Sequence, residues 1–442
     1  MKRIVCLVVL IFSFIYCCND VLAYKKFTTE NVQELVNSHH RNAISLVNGW
    51  TKSYDNQVWQ DAVVPYSEQT SGRVIYKNTI KIEKDFISRY NLHIYFPGIS
   101  GEVEFYFNDE LINKYDGEAL PIQLEIPHYF INVGNNELKI VFLENSKLIN
   151  NLLMSSFNAP LNVKGIIREP FLITTSKVWI SDIKYKFIEA GNSTTLDVNV
   201  SCAAGEIVLN NQDSTSNKVG QKKTNIQVEY KLINKHTGSV VAAPESRSLT
   251  VVDSRTSNVK FRLNCSELKR WEIDAPELYV LDVTIKSNNE VLDEYFVNVG
   301  VKNLKISKNS VRLNGESIKL KAVTYHEYFY STKNTLSAYR MEKDIKNIKV
   351  LGANAIRLTK APHPYLAYLC DKYGLLMFID LPLNNTPNSF VKNEEMAVKC
   401  RNILVQLLNN YQKFSSFVAI GLGSEVEEGA AYAGLKIGRA HV

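Results

Sequence analysis

No glycine-rich phosphate fingerprint follows any strand-like run in this 442-residue chain, which removes the main sequence support for a nucleotide-binding sheet. No block of lysine and arginine stands out: the net charge of +6 and the isoelectric point near 8.7 are spread along the chain, so nucleic acid is not an expected partner. Cysteine is scarce, with seven residues, and no Cys or His cluster has the spacing of a zinc site. Self-similarity at a period of about 20–50 residues, the mark of a solenoid or propeller, is also missing. What is present is a long chain, 45% hydrophobic and 10% aromatic, able to bury several cores and divide into two to four domains.

The amino terminus reads as an address. Lys2-Arg3 precede an apolar run from Ile4 to Cys18, and Val21-Leu-Ala23 offers small residues to a signal peptidase. A cleaved signal peptide over 1–23, cut after Ala23, makes the protein secreted or periplasmic, with no membrane span in the mature chain. Two alternatives stay open. An uncleaved anchor would need roughly 20 apolar residues, more than this run supplies; acylation at Cys17 or Cys18 is disfavoured by the bulky or Cys residue before each. Removal of Cys6, Cys17 and Cys18 leaves Cys202, Cys265, Cys370 and Cys400. Cys202 and Cys265 share one region and could pair in an oxidising compartment, although spacing alone does not establish a bridge.

From about residue 24 to 300 the chain is a series of short alternating strands, such as Asn91 to Phe96, Val103 to Asn108, Leu138 to Phe142, Asn225 to Leu232 and Leu278 to Ile285. Gly, Asn and Ser turns separate them at the intervals of β-sandwiches. The polar stretch Asn210 to Lys223 is expected to be a long exposed loop. Aromatic residues are frequent at turns, which suits stacking on sugars, although Tyr and Trp at strand positions chiefly pack.

From Asn314 the pattern changes. Ile318 to Val323 alternates as a strand, and Met341, Ile345, Ile348 and Leu351 recur at helical spacing. Ala353 to Leu358 is a second strand, Tyr365 to Tyr373 a helix closed by Gly374, and Leu375 to Leu383 a third strand. Glu394 to Tyr411 carries Ile403, Leu404, Leu407 and Leu408 on one face, and Val418 to Leu422 is a fourth strand. Short βα repeats with near-continuous apolar strands predict a parallel sheet, either doubly wound or closed into a barrel. The unusual residues stand at the strands' C-terminal ends: His326 and Glu327, Arg357 and Lys360, Asp380, then Ser424 and Glu425. Barrel enzymes gather catalytic groups at that face, so the first half of a TIM (β/α)8 barrel is favoured. The ending Lys-Ile-Gly-Arg-Ala-His-Val resembles a translated sequencing adapter, so residues 436–442 are expected to be foreign and the parent protein longer.

Asn314-Gly315, His326-Glu327, Asp344 through Lys349, Leu351 through Arg357, Cys370 through Gly374 and Gly421-Leu-Gly-Ser-Glu425 resemble glycoside hydrolase family 2, the β-galactosidases, β-glucuronidases and β-mannosidases. Upstream, Asn48-Gly-Trp50, Trp59, Val64-Pro65, Tyr76, Phe96-Pro-Gly98, Asn108 and Gly165-Ile-Ile-Arg168 resemble that family's N-terminal sugar-binding domain. Trp271, Pro276, Leu278, Tyr279 and Gly300 resemble its immunoglobulin-like second domain. The resemblance implies a jelly-roll-like sugar-binding β-sandwich over 24–178, an immunoglobulin-like sandwich over 179–302 and a partial TIM barrel over 303–435.

It also implies hydrolysis of β-linked sugars with retention, which needs a protonated carboxyl for the leaving oxygen and an ionised one to attack the anomeric carbon. Glu425 matches the acid/base; the nucleophile's strand lies beyond Leu435, so no residue here takes that role. Ser424 replaces the family's usual Asn at the 2-hydroxyl, and Lys360 stands where many members have His, which leaves sugar identity more open than reaction class. Arg357 either holds the nucleophile carboxylate or braces the rim, and His326 and Asp380 match positions near the sugar. The expected partner is an oligosaccharide or glycoside. No cofactor is required by the pattern; some relatives use Mg²⁺, and no acidic cluster here demonstrates a site for it. A homo-oligomer stays open. The competing reading is an exported, non-catalytic carbohydrate-binding protein with a degenerate barrel.

Overall fold

The structure, a computed structural model, describes residues 26–70, 72–144, 163–191, 193–205, 223–252, 255–307, 310–327, 336–383 and 394–423. The proposed signal peptide, the polar stretch before Lys223, and Ser424 with Glu425 lie outside the described residues. Among the described residues no helix is long and apolar enough to cross a membrane.

The first domain is a two-layer antiparallel sandwich. One sheet orders strands 42–45, 171–176, 90–96 and 122–126; the other orders 60–62, 50–53, 74–82, 134–142, 100–107 and 110–118. Alternation from Tyr76 to Ile82 turns Tyr76, Ile80 and Ile82 into the core, the pattern of a sheet with one face on water, while Val74 and Ile75 are both buried at the strand's start. A second sandwich follows, a three-stranded sheet of 178–190, 193–204 and 256–264 facing a four-stranded sheet of 240–252, 223–234, 279–287 and 290–299. Its core is a separate apolar cluster around Leu196, Val198, Val228, Leu281 and Val283.

The register of the second sandwich closes the cysteine question. Cys202 pairs with Ser257, whereas the Cys265 amide donates to Thr194 O. Thr194 to Cys202 is eight residues of extended strand, about 26 Å, against a disulfide's limit of about 7 Å between Cα atoms. The two thiols are free and buried, and desolvation pushes them up to about 12 and about 11 respectively.

One expected strand is two elements. Asn314 and Gly315 both take positive φ (54° and 93°), the geometry of a tight hairpin turn. They join Ser310–Leu313 to Glu316–Ile318 within a three-stranded antiparallel sheet that also contains Leu304–Ser307. The first parallel strand, β1, is therefore Ala322–Tyr325. It is followed by α1 (Ala338–Val350), β2 (Ala355–Leu358), α2 (Pro364–Tyr373), β3 (Leu376–Asp380), α3 (Glu394–Tyr411) and β4 (Phe417–Gly421). The four strands pair in parallel in sequence order, as βα repeats dictate. In α1, Ser337 caps the N-terminus by accepting from the Arg340 amide, and Met341, Ile345 and Ile348 are buried. Leu351 is not part of that stripe: the helix ends before it and leaves it 79% exposed.

The barrel's N-terminal end is plugged. Trp271, wholly buried, clusters with Ala355, Leu376 and Val418 at the starts of β2, β3 and β4. Its indole N–H donates to Asp371 O at 2.9 Å, and Asn314 Nδ2 donates to Trp271 O at 3.0 Å. The opposite, C-terminal end is left for chemistry.

Candidate active site

Strand periodicity brings Arg357 and Asp380 together. Arg357 is in register with Phe378, and Asp380, two residues on, falls on the same face of β3. Arg357 Nε and Nη2 both donate to Asp380 Oδ2, at 2.8 and 2.6 Å. The Asp380 side chain is nearly buried while that of Arg357 is 40% exposed. Burial raises the Asp380 carboxyl and the Arg357 cation opposes that rise. The neighbour in β4 has to be glycine: a Cβ on Gly421 would lie 2.1 Å from Asp380 Oδ1. Asp380 is thus a carboxylate held by a guanidinium, not one satisfied by backbone amides.

His326, after β1, is within reach of Thr359, after β2, with Nδ1 and Oγ1 3.3 Å apart. Desolvation and then the nearby Lys360 charge lower the His326 pKa, which keeps its imidazole neutral near pH 7. The structure therefore assembles His326, Arg357, Lys360 and Asp380 at the C-terminal ends of three adjacent parallel strands, and β4 ends at Gly421 beside Asp380. Four residues further on is Glu425, outside the described residues with Ser424. Among the described residues there is no group of three or more His, Cys, Asp or Glu side chains that could hold a metal ion.

Arg168, which sequence reasoning did not place at the rim, and Glu327, which it did, hold the rim in position. Arg168, 4% exposed, extends from the first sandwich into the barrel. Its Nη1 donates to Pro97 O and Ala119 O, and its Nη2 to Ala361 O, each at 2.7 Å. Nη2 also reaches Glu327 Oε2 at 2.9 Å. Glu327 Oε1 accepts in turn from the His363 amide. Both barrel partners of Arg168 are one residue past a rim residue: Glu327 follows His326, and Ala361 follows Lys360. Gly98 makes room, since a Cβ there would sit 2.7 Å from Arg168 Cδ. The signal was visible as Phe96-Pro-Gly98 and Gly165-Ile-Ile-Arg168, but nothing in one sequence says that a guanidinium 159 residues away meets Glu327.

Comparison with known proteins agrees with this geometry. The family model for glycosyl hydrolases family 2 matches residues 180–302, and the model for that family's TIM barrel domain matches 304–412. A putative beta-glucuronidase of Formosa agariphila is 24% identical over 335 residues, 75% of this chain and 37% of the relative. A beta-galactosidase of Leuconostoc mesenteroides is 25% identical over 291 residues, 64% of this chain and 26% of the relative. Among solved structures, a putative beta-galactosidase from Bacteroides fragilis superposes with a TM-score of 0.75 at 19% identity, over 89% of this chain and 60% of that one. A Bifidobacterium dentium beta-glucuronidase complexed with coumarin-3-O-glucuronide gives 0.72 at 16%, over 89% and 70%. The chain thus spans about a quarter to two-fifths of the length of the curated relatives it matches.

Proposed function

From the premise that this chain belongs to glycosyl hydrolases family 2, we propose that its parent protein is an exported glycoside hydrolase of β-linked sugars that works by retaining double displacement. The observation that carries the reading is the parallel register that sets Arg357, Asp380 and the end of β4 side by side at the barrel's C-terminal face. Glu425 is the acid/base, delivered by the segment after β4. The nucleophile is assigned to no residue of this chain and is expected on a later strand.

The roles follow from chemistry. A carboxyl that must be protonated to assist the leaving oxygen and then deprotonated to activate water has to sit in a partly desolvated place at a fixed distance from the sugar. Arg357, its side chain 40% exposed, orients an anion at the rim while Asp380 fixes its plane. His326, kept neutral, offers a ring nitrogen to a sugar hydroxyl, and Ser424 donates to the 2-hydroxyl. Lys360 contributes a cation that suits hydroxyls or a uronate carboxylate. The relatives named as glucuronidases and galactosidases leave both sugars in view.

The test is hydrolysis of 4-nitrophenyl β-galactoside, β-glucuronide and β-mannoside by the full-length parent and its Glu425→Gln variant, with the product anomer followed by NMR. Loss of about 10²–10⁴ in rate with a retained first-formed anomer is expected. Equal rates remove Glu425 from the acid/base role, and an inverted anomer removes double displacement. A parent that binds glycosides but hydrolyses none supports the non-catalytic alternative, which the Lys360 and Ser424 replacements favour.

A further inference from the structure

Between the two sandwiches lies a crevice of about 420 Å³, within the range of small-ligand sites, which favour domain boundaries and combine apolar walls with a few convergent polar groups. None of the barrel rim residues lines it. Its lining contains polar groups without partners among the described residues.

Trp179 is 5% exposed and packs edge-on to His93 at 5.4 Å. Its indole N–H has no acceptor among the described residues, although a buried tryptophan N–H normally finds one, and Trp179 lines the crevice. Asn91 uses its Nδ2 on Ser176 O at 2.8 Å, which leaves its side-chain oxygen as an acceptor. Only a glycine fits beside that oxygen, since a Cβ on Gly205 would lie 2.4 Å from it. His128 Nε2 is 2.9 Å from Ile87 O. A carbonyl can only accept, so Nε2 carries the proton and Nδ1 remains an acceptor. Glu125 and Arg255 line the same space, and neither side chain has an ion-pair partner among the described residues. Tyr129 is 68% exposed and is braced edge-on by Phe130 at 4.5 Å, which fixes its ring and leaves a face bare.

A phosphate or a cation would want one sign of charge here, and the lining offers both. Interleaved donors and acceptors around a fixed aromatic face match a pyranose, whose C–H face stacks on a ring while each hydroxyl both donates and accepts. We propose that this crevice is a second carbohydrate-binding site, separate from the barrel rim, that takes a neutral pyranose unit of a glycan chain. Two such sites on one molecule would hold a polymer at two places and raise the effective concentration of chain ends at the rim. The choice of a glycan rests on the glycosidase reading; the unpartnered groups themselves do not.

The experiment is saturation-transfer NMR and calorimetric titration of this chain with lactose, cellobiose and β-1,4-mannobiose. Variants at the crevice (Tyr129→Ala, Arg255→Ala) are compared with variants at the rim (His326→Ala, Lys360→Ala). Saturable binding of at least one disaccharide is expected, with a component that the crevice variants weaken about tenfold or more (1.4 kcal/mol) and that persists in the rim variants, which remove only the rim's own contribution. Trp179→Phe, which keeps the ring and removes the N–H, should weaken the same ligand. Binding abolished only by rim variants overturns the crevice site and leaves the glycosidase reading intact. Absence of binding by all three disaccharides overturns the crevice site too, while hydrolysis by the parent still decides the glycosidase reading separately.

Discussion

Replacing Arg168 by Met should disconnect the first sandwich from the barrel rim. The guanidinium and the Glu327 carboxylate are 3% and 7% exposed, so the change strands a buried carboxylate and deprives Pro97 O, Ala119 O and Ala361 O of a donor. Breaking a buried pair by removing one partner costs about 3–5 kcal/mol, a large share of the about 5–15 kcal/mol that holds a domain folded. Because several domains unfold separately, the direct assay is amide hydrogen exchange, read at 325–327 and 359–363. Protection there should fall by about 3 kcal/mol or more, while the second sandwich's strands keep theirs. Arg168→Lys should recover little, since an ammonium cannot fork between a carboxylate and three carbonyls. Arg168→Met/Glu327→Leu should recover a coupling energy of about 0.5–3 kcal/mol relative to the summed single changes. Loss of less than about 1 kcal/mol at the rim, or strict additivity of the double variant, would refute the idea that this pair orders the rim.

Gly421→Ala should destabilise the barrel portion by about 1–3 kcal/mol, because the new Cβ overlaps Asp380 Oδ1; a thermal unfolding transition unchanged from the parent would contradict the packing. Burial, and secondarily the Arg41 charge, lower His93 to about 3 from 6.5. Below pH 6.5 the unfolded chain therefore takes up a proton that the folded chain refuses, and stability should fall with falling pH by about 1.4 kcal/mol per unit. Urea unfolding of His93→Gln between pH 6.5 and 4.5 should show a slope shallower by that amount, and an equal slope counts against a neutral buried His93. Alkylation under denaturing, non-reducing conditions should label both Cys202 and Cys265; recovery of a peptide pair linked through them would overturn the strand register.

The βα alternation was legible because apolar spacing of 3.6 in Met341, Ile345 and Ile348 and continuous apolar runs at β2 and β3 report burial directly. The first strand was misplaced because period two alone cannot separate a hairpin arm, Glu316–Ile318, from the parallel strand that starts four residues later. Positive φ at Asn314 and Gly315 marks that hairpin, and the turn pair was the available clue. At the site, strand-end position identified Arg357 and Asp380 but could not say that they bind each other. That needs the face each side chain takes, hence the register. Arg168 was still less accessible, since its partners come from four separate segments. The motifs at Val64-Pro65, Phe96-Pro-Gly98 and Gly165 through Arg168 look independent in sequence. In the fold, Gly165 packs on Tyr66 O and Gly98 on Arg168.

The helix Thr29–Val36 has a consequence for how the molecule is made. Asn31 donates to Tyr365 OH across 334 residues of sequence, Phe27 stacks on His363 at 5.2 Å, and Glu34 engages Lys235 and Asn298 in the second sandwich. Ribosomes add about 5–20 residues per second, so Asn31 waits about 17–67 s for its partner to exist. Eight residues form no durable helix alone in water. Made long before its partners, it is seated only once they exist, and it closes over domains that have already met.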